Sequence, residues 1–83
     1  MSNPLKLTQG QKYIVIQSFT DFDGTIHPVD ETWIFSTTNF LPYEDGLTLH
    51  VIQEGLDVVY RLKWTNEDQG PIIDNFPDFV RPC

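Results

Sequence analysis

Leu47-Thr48-Leu49-His50-Val51-Ile52 and Val58-Val59-Tyr60-Arg61-Leu62-Lys63-Trp64 decide the fold. In the first run Leu47, Leu49 and Val51 share one face, and Thr48 and His50 share the other. In the second, Val58, Tyr60, Leu62 and Trp64 point inward while Arg61 and Lys63 point outward. A period of two marks a half-buried strand. Only Gln53-Glu54-Gly55-Leu56-Asp57 separates the two runs, so they form a hairpin.

Upstream, residues 12–19 hold Tyr13, Ile14, Val15, Ile16 and Phe19, a density of β-branched and aromatic side chains that favours a strand. Both of its faces are partly apolar, which places it inside a sheet rather than at an edge. Residues 31–36 make a further strand, with Trp33 and Phe35 on one face. A turn at Thr37-Thr38-Asn39 is expected to end it. Phe40-Leu41-Pro42 reads as extended, because proline pushes the preceding residue out of the helical region. Asp23-Gly24 within the loop 20–30, and Asp45-Gly46 after Tyr43-Glu44, are turn signals. Residues 1–11 read as a loose start, with Leu5 and Leu7 tacked onto the body. Residues 65–71 are a polar loop, Ile72-Ile73 a short extended piece, and residues 74–80 a helical turn with Pro77 early in it.

The expected fold is a single all-β domain, a small antiparallel five-stranded partly open barrel of the Src-homology-three-like type with a short C-terminal helical turn. Closing the sheet limits exposed edges, which a chain of 83 residues has little material to cover. The faces predict a core of Tyr13, Val15, Phe35, Leu49, Val51, Leu62 and Trp64. Two Trp, six Phe and three Tyr give so small a core a large apolar content, enough to close without metal or disulfide. The lone Cys83 has no internal partner. With no signal peptide or membrane span in view, a reducing cytoplasm is the expected setting.

Twelve acids against five bases leave a net charge of −7. That balance opposes nucleic acid and anionic membranes as partners. It suits a soluble protein, and it steers basic partners toward the surface. Acids gather beside aromatic rings at two turns, Asp21-Phe22-Asp23-Gly24 and Tyr43-Glu44-Asp45-Gly46. If the turns meet, Asp21, Phe22, Asp23, Tyr43, Glu44 and Asp45 form one surface able to hold a basic segment of another protein.

Two other readings use the same ground. Setting Gly24 at the sixth place of a calcium loop puts Asp21 and Asp23 third and fifth, His27 ninth and Asp30 twelfth. Against it, Phe19 at the first place has no donor, and Pro28 lies within a loop flanked by strands. The other reading is an accessory subunit that pairs with another protein through a sheet edge. In either case the chain is expected as a monomer or a weak homodimer. His27 and His50 have no zinc-ligand spacing and read as surface residues. No nucleophile–base pair, phosphate-cradling loop or spaced carboxylate pair stands out, so neither an enzyme activity nor a cofactor is expected.

Four motifs carry a resemblance: Phe19-x-Asp21-Phe22-Asp23-Gly24, Trp33-x-Phe35, Phe40-Leu41-Pro42-Tyr43-Glu44-Asp45-Gly46-Leu47 and Arg61-Leu62-x-Trp64. Together they resemble a family of short bacterial proteins of unknown function, and the resemblance implies no activity. The order of elements is also similar to that of Src-homology-three-like barrels. Their tandem tryptophans have no counterpart here, so a proline-peptide groove does not follow.

Overall fold

Alternation at 47–52 and 58–63 becomes strand, whereas the single strand expected over 12–19 breaks after Val15: residues 16–18 bend away, and Phe19 opens a separate two-residue strand. The computed structural model describes residues 5–41, 46–65 and 67–83. In chain order the elements are β1 (Lys12–Val15), β2 (Phe19–Thr20), β3 (Ile26–His27), β4 (Thr32–Leu41), β5 (Gly46–Gln53) and β6 (Leu56–Lys63). A short helix α1 (Gly70–Asp74), a 3-10 turn (Phe76–Asp78) and β7 (Val80–Pro82) complete the chain. Five strands form one antiparallel sheet in the order β6-β5-β4-β1-β7, and β2 pairs with β3 as a separate ribbon. The protein is therefore all-β with a small C-terminal helical element. Among the described residues no helix is long and apolar enough to cross a membrane.

The β5–β6 hairpin is longer than its alternation implied. Gln53 pairs with Leu56, so the connection is only Glu54-Gly55 rather than five residues. Both turn residues have positive φ, 54° and 80°. That is the tight reversal whose twist matches the flanking strands, and glycine adopts it without steric cost. Leu56 and Asp57 are thereby freed to continue β6.

The turn expected at residues 37–39 is absent. β4 runs through it, and the register shifts between Phe35 and Thr37, so Phe35 faces Val51 while Thr37 faces His50. A bulge inserts one residue and bends a strand without ending it. Thr37 and Thr38 are β-branched, which favours continuation.

β1 lies between β4 and β7, as its two apolar faces required. Tyr13, Val15, Phe35, Leu49, Val51 and Leu62 are buried as expected. Trp64 is not: it is exposed, because β6 ends at Lys63 and the alternation ends with it. Its ring instead meets Phe40 edge-on at 5.8 Å, and its indole N–H donates to Asp74 at 3.0 Å.

Both ends of the chain contribute more to the core than the sequence implied. Leu5 and Leu7 are buried, the Thr8 amide donates to the Tyr13 hydroxyl at 2.8 Å, and the Gly10 amide donates to the Phe35 carbonyl at 2.8 Å. Ile72 and Ile73 are helical, not extended. Pro71 starts α1, where its fixed φ is already suited to the first turn, and the helix buries Ile73. Burial of Ile73 and Phe76 outweighs the β-preference of isoleucine; each such side chain contributes about 1.5–3 kcal/mol. The helical turn expected over 74–80 is confined to Phe76–Asp78, and the chain then enters β7, where Val80 pairs with Val15.

Candidate functional site

The β2–β3 ribbon is built on Asp21. Its backbone N–H donates to the Thr25 carbonyl at 3.0 Å, and its Oδ1 accepts from the amides of Asp23 and Thr25, each at 3.0 Å. The Gly24 amide donates to the Asp21 carbonyl at 3.1 Å, with glycine at φ 85°. The Asp-Gly turn stands where the sequence put it, and Asp21 folds it by accepting backbone hydrogen bonds. Asp21 is buried, however, and so leaves the set of surface contacts.

His27 was expected at the surface and is fully buried. β2–β3 pairing sets it opposite Phe19, which stacks on its ring at 4.7 Å and 22°, while Tyr60 meets it edge-on at 4.2 Å. Its Nε2 lies 2.9 Å from Asp21 Oδ2 and its Nδ1 lies 2.7 Å from Glu31 Oε1. Glu31 Oε1 also accepts the Trp33 indole N–H at 3.2 Å. The two carboxylates occupy opposite ring nitrogens and do not converge on a point. Among the described residues, no group of three or more histidine, cysteine or carboxylate side chains is disposed to hold a metal ion. Burial raises the Tyr60 pKa above its usual value, and the nearby charges of Glu31 and Asp21 add to the effect.

The next residues face outward. Phe22 is 46 % exposed, yet its amide donates to the Arg61 carbonyl on β6 at 2.8 Å, so an exposed ring sits on a fixed backbone. Asp23 pairs with the Arg61 guanidinium, with Nε 3.1 Å from both carboxylate oxygens and Nη2 on Oδ1. This hydrogen bonding holds the Asp23 carboxyl below its ordinary pKa. Lys63 Nζ lies 5.4 Å from the Phe22 ring centre, a cation–π arrangement. Phe22, Gly46, Leu47, Thr48, Leu62 and the cations Arg61 and Lys63 line an open groove of about 410 Å³. Tyr43, Glu44 and Asp45 lie outside the described residues; in sequence they immediately precede Gly46. Of the six proposed contact residues, the structure therefore brings Phe22 and Asp23 to one surface. It adds Arg61 and Lys63, which strand alternation alone places only on an outward face. His50 lies away from the core, as expected, 3.1 Å from the Thr48 hydroxyl.

These features define a small all-β domain with an open groove between a hairpin tip and the sheet. The chain belongs to the family described as a domain of unknown function, DUF3601, whose model matches residues 5–80. A solved structure, an integron cassette protein from the mobile metagenome of Vibrio cholerae, is similar over 100% of this chain and 92% of its own, with 28% identity and a TM-score of 0.93. No curated protein matches the chain significantly.

Proposed function

We propose that this domain is a small cytoplasmic protein-binding module whose contact surface is the groove beside Phe22. The observation that carries this reading is the exposed Phe22 ring on a hydrogen-bonded backbone, lining a groove together with Leu47 and Leu62. A pre-positioned aromatic ring supplies contact area at low entropic cost, the usual character of an interface anchor. Glu44 and Asp45 beside Gly46 in sequence, and the net charge of −7, favour a basic segment as the partner. Arg61 and Lys63 lie within the same groove, so an acidic or carbonyl-bearing group next to the segment's apolar anchor completes the match. A Src-homology-three-like reading of the fold draws support from the connectivity: β1 beside the last strand, a long hairpinned loop, a three-stranded meander and a 3-10 turn before closure.

A second reading rests on β6. It ends the sheet order and exposes Leu56 and Val59, which suits pairing through a strand edge. Affinity capture from a bacterial lysate with wild type, Phe22→Ala, Asp23→Asn and Val59→Lys distinguishes the two. The groove reading expects a partner weakened by salt and lost with Phe22→Ala, a truncation costing about 2 kcal/mol or more of binding at an anchor. Loss with Val59→Lys alone transfers the site to the edge. Capture unchanged in all three variants overturns both readings.

A further inference from the structure

We propose that the groove beside Phe22 captures the C-terminal end of a partner protein, with the terminal carboxylate on Lys63 and an apolar last side chain against the Phe22 ring. This rests on the groove reading and names the part of the partner that enters. The charges carry it. Arg61 and Lys63 are the two cations that line the groove. The Arg61 guanidinium is engaged by both carboxylate oxygens of Asp23. Lys63 Nζ has no ion-pair partner among the described residues, and it lies 5.4 Å from the centre of the Phe22 ring. An ammonium has three N–H donors and a ring face takes one at most, so Lys63 keeps donors for an oxyanion. The groove is therefore a local positive site in a chain of net charge −7.

The frame around this cation is fixed. The Lys63 amide donates to Gln69 Oε1 at 3.0 Å, and its carbonyl accepts from the Thr65 and Gln69 amides, each at 2.9 Å. The Phe22 amide donates to the Arg61 carbonyl at 2.8 Å, which ties the ring's backbone to the same strand. Gly46 stands opposite Lys63 on β5, so the neighbouring strand places no side chain beside the ammonium. A ligand thus meets a ring and a cation already in position, which lowers the ordering cost of binding. The ring and the ammonium adjoin, so the ligand must offer an apolar group and an anion side by side. A side-chain carboxylate carries no apolar group next to it. A C-terminal residue carries both on one α-carbon, and its carboxylate is ionised at neutral pH. At about 410 Å³ the groove lies at the small end of ligand sites, which suits a chain end better than a long segment. The net charge favours Lys or Arg upstream of that end.

The test is an NMR titration of the intact protein with acetyl-Lys-Lys-Val-Leu bearing a free carboxylate, and with the same peptide as its C-terminal amide. The free acid should shift the amides of Phe22, Thr48 and Lys63 and bind about tenfold more tightly than the amide, as expected for losing a hydrogen bond to a charged group. Lys63→Gln leaves the main-chain bonds in place and should make the two peptides equal. If both bind wild type equally at these residues, the groove reading stands and the chain-end inference falls. If neither shifts them at up to about 5 mM, the inference is overturned, and capture with Phe22→Ala decides the groove reading separately. A preference that persists in Lys63→Gln moves the carboxylate to another cation and overturns the assignment. N-acetyl-leucine binding as tightly as the peptide makes the ligand a free acid and overturns the partner-tail inference. The acid–amide comparison in wild type stands even if the variant fails to fold.

Discussion

Replacing Leu62 with alanine tests the facing of β6 against the sheet. Leu62 is 1 % exposed, lies opposite Leu47 on β5 and belongs to the buried cluster with Leu49 and Val51. Truncation removes three carbons, each worth about 0.8 kcal/mol of transfer free energy, so transfer alone costs about 2.4 kcal/mol. The cavity left behind adds to this, and buried Leu→Ala changes cost about 2–5 kcal/mol in total. At roughly 0.05–0.15 kcal/mol per residue, 83 residues give a total stability of roughly 4–12 kcal/mol. The substitution therefore removes a large share of the stability and lowers the melting temperature by about 10 °C or more. Val59, three residues earlier on the opposite face, is 50 % exposed. Val59→Thr keeps the β-branch and should stay within about 0.5 kcal/mol of wild type. Urea melts of both variants, with the slope of the transition checked for constancy, provide the comparison. A Leu62→Ala loss below about 0.5 kcal/mol, or a Val59→Thr loss that equals it, refutes the assignment of the two faces.

Two further outcomes follow from local features. Tyr60 has a raised pKa in the folded protein, so its contribution is fully present below the unfolded value near 10.0 and is lost as pH rises from there through the folded value. Urea melts between pH 9 and 12 should show this fall in wild type and a shallower one in Tyr60→Phe; equal slopes would assign the alkaline loss to other groups. Gly55→Ala places a side chain at φ 80° with open space around it, so strain alone costs about 1–2 kcal/mol. Thermal melts should show Gly55→Asn costing less than Gly55→Ala; the reverse order would reject the turn assignment.

The meander was legible because β5 and the inner half of β6 repeat apolar side chains every second residue, and that repeat is a direct image of burial. The continuity of β4 was not, because a bulge has no composition of its own: Ser36-Thr37-Thr38-Asn39 reads the same whether the chain turns or shifts register. α1 has only five residues, too few to display a helical period, and its two isoleucines argue locally for strand. Leu5, Leu7 and β7 are fixed by long-range packing and by pairing between opposite ends of the chain, which a local window does not contain.

For the site, the informative signal was present but overridden by polarity. A turn beside a glycine implies solvent exposure for both Asp21 and Phe22. Alternation carried on past Phe19 gives the opposite assignment for one of them. Phe19 faces the core, so parity turns Thr20 outward, Asp21 inward and Phe22 outward, as their burial shows. A carboxylate turned inward needs hydrogen-bond donors, because an unpartnered buried charge is too costly to keep. Asp21 meets that need locally through the amides of Asp23 and Thr25, and across the ribbon through His27, which stands directly opposite Phe19. The same parity that buries the acid presents Phe22 to solvent on a backbone fixed by the turn. One strand rule therefore produces both halves of the hairpin, a buried carboxyl beneath and an exposed aromatic ring above. Backbone parity fixes which way each side chain faces, and polarity fixes only what it must find there.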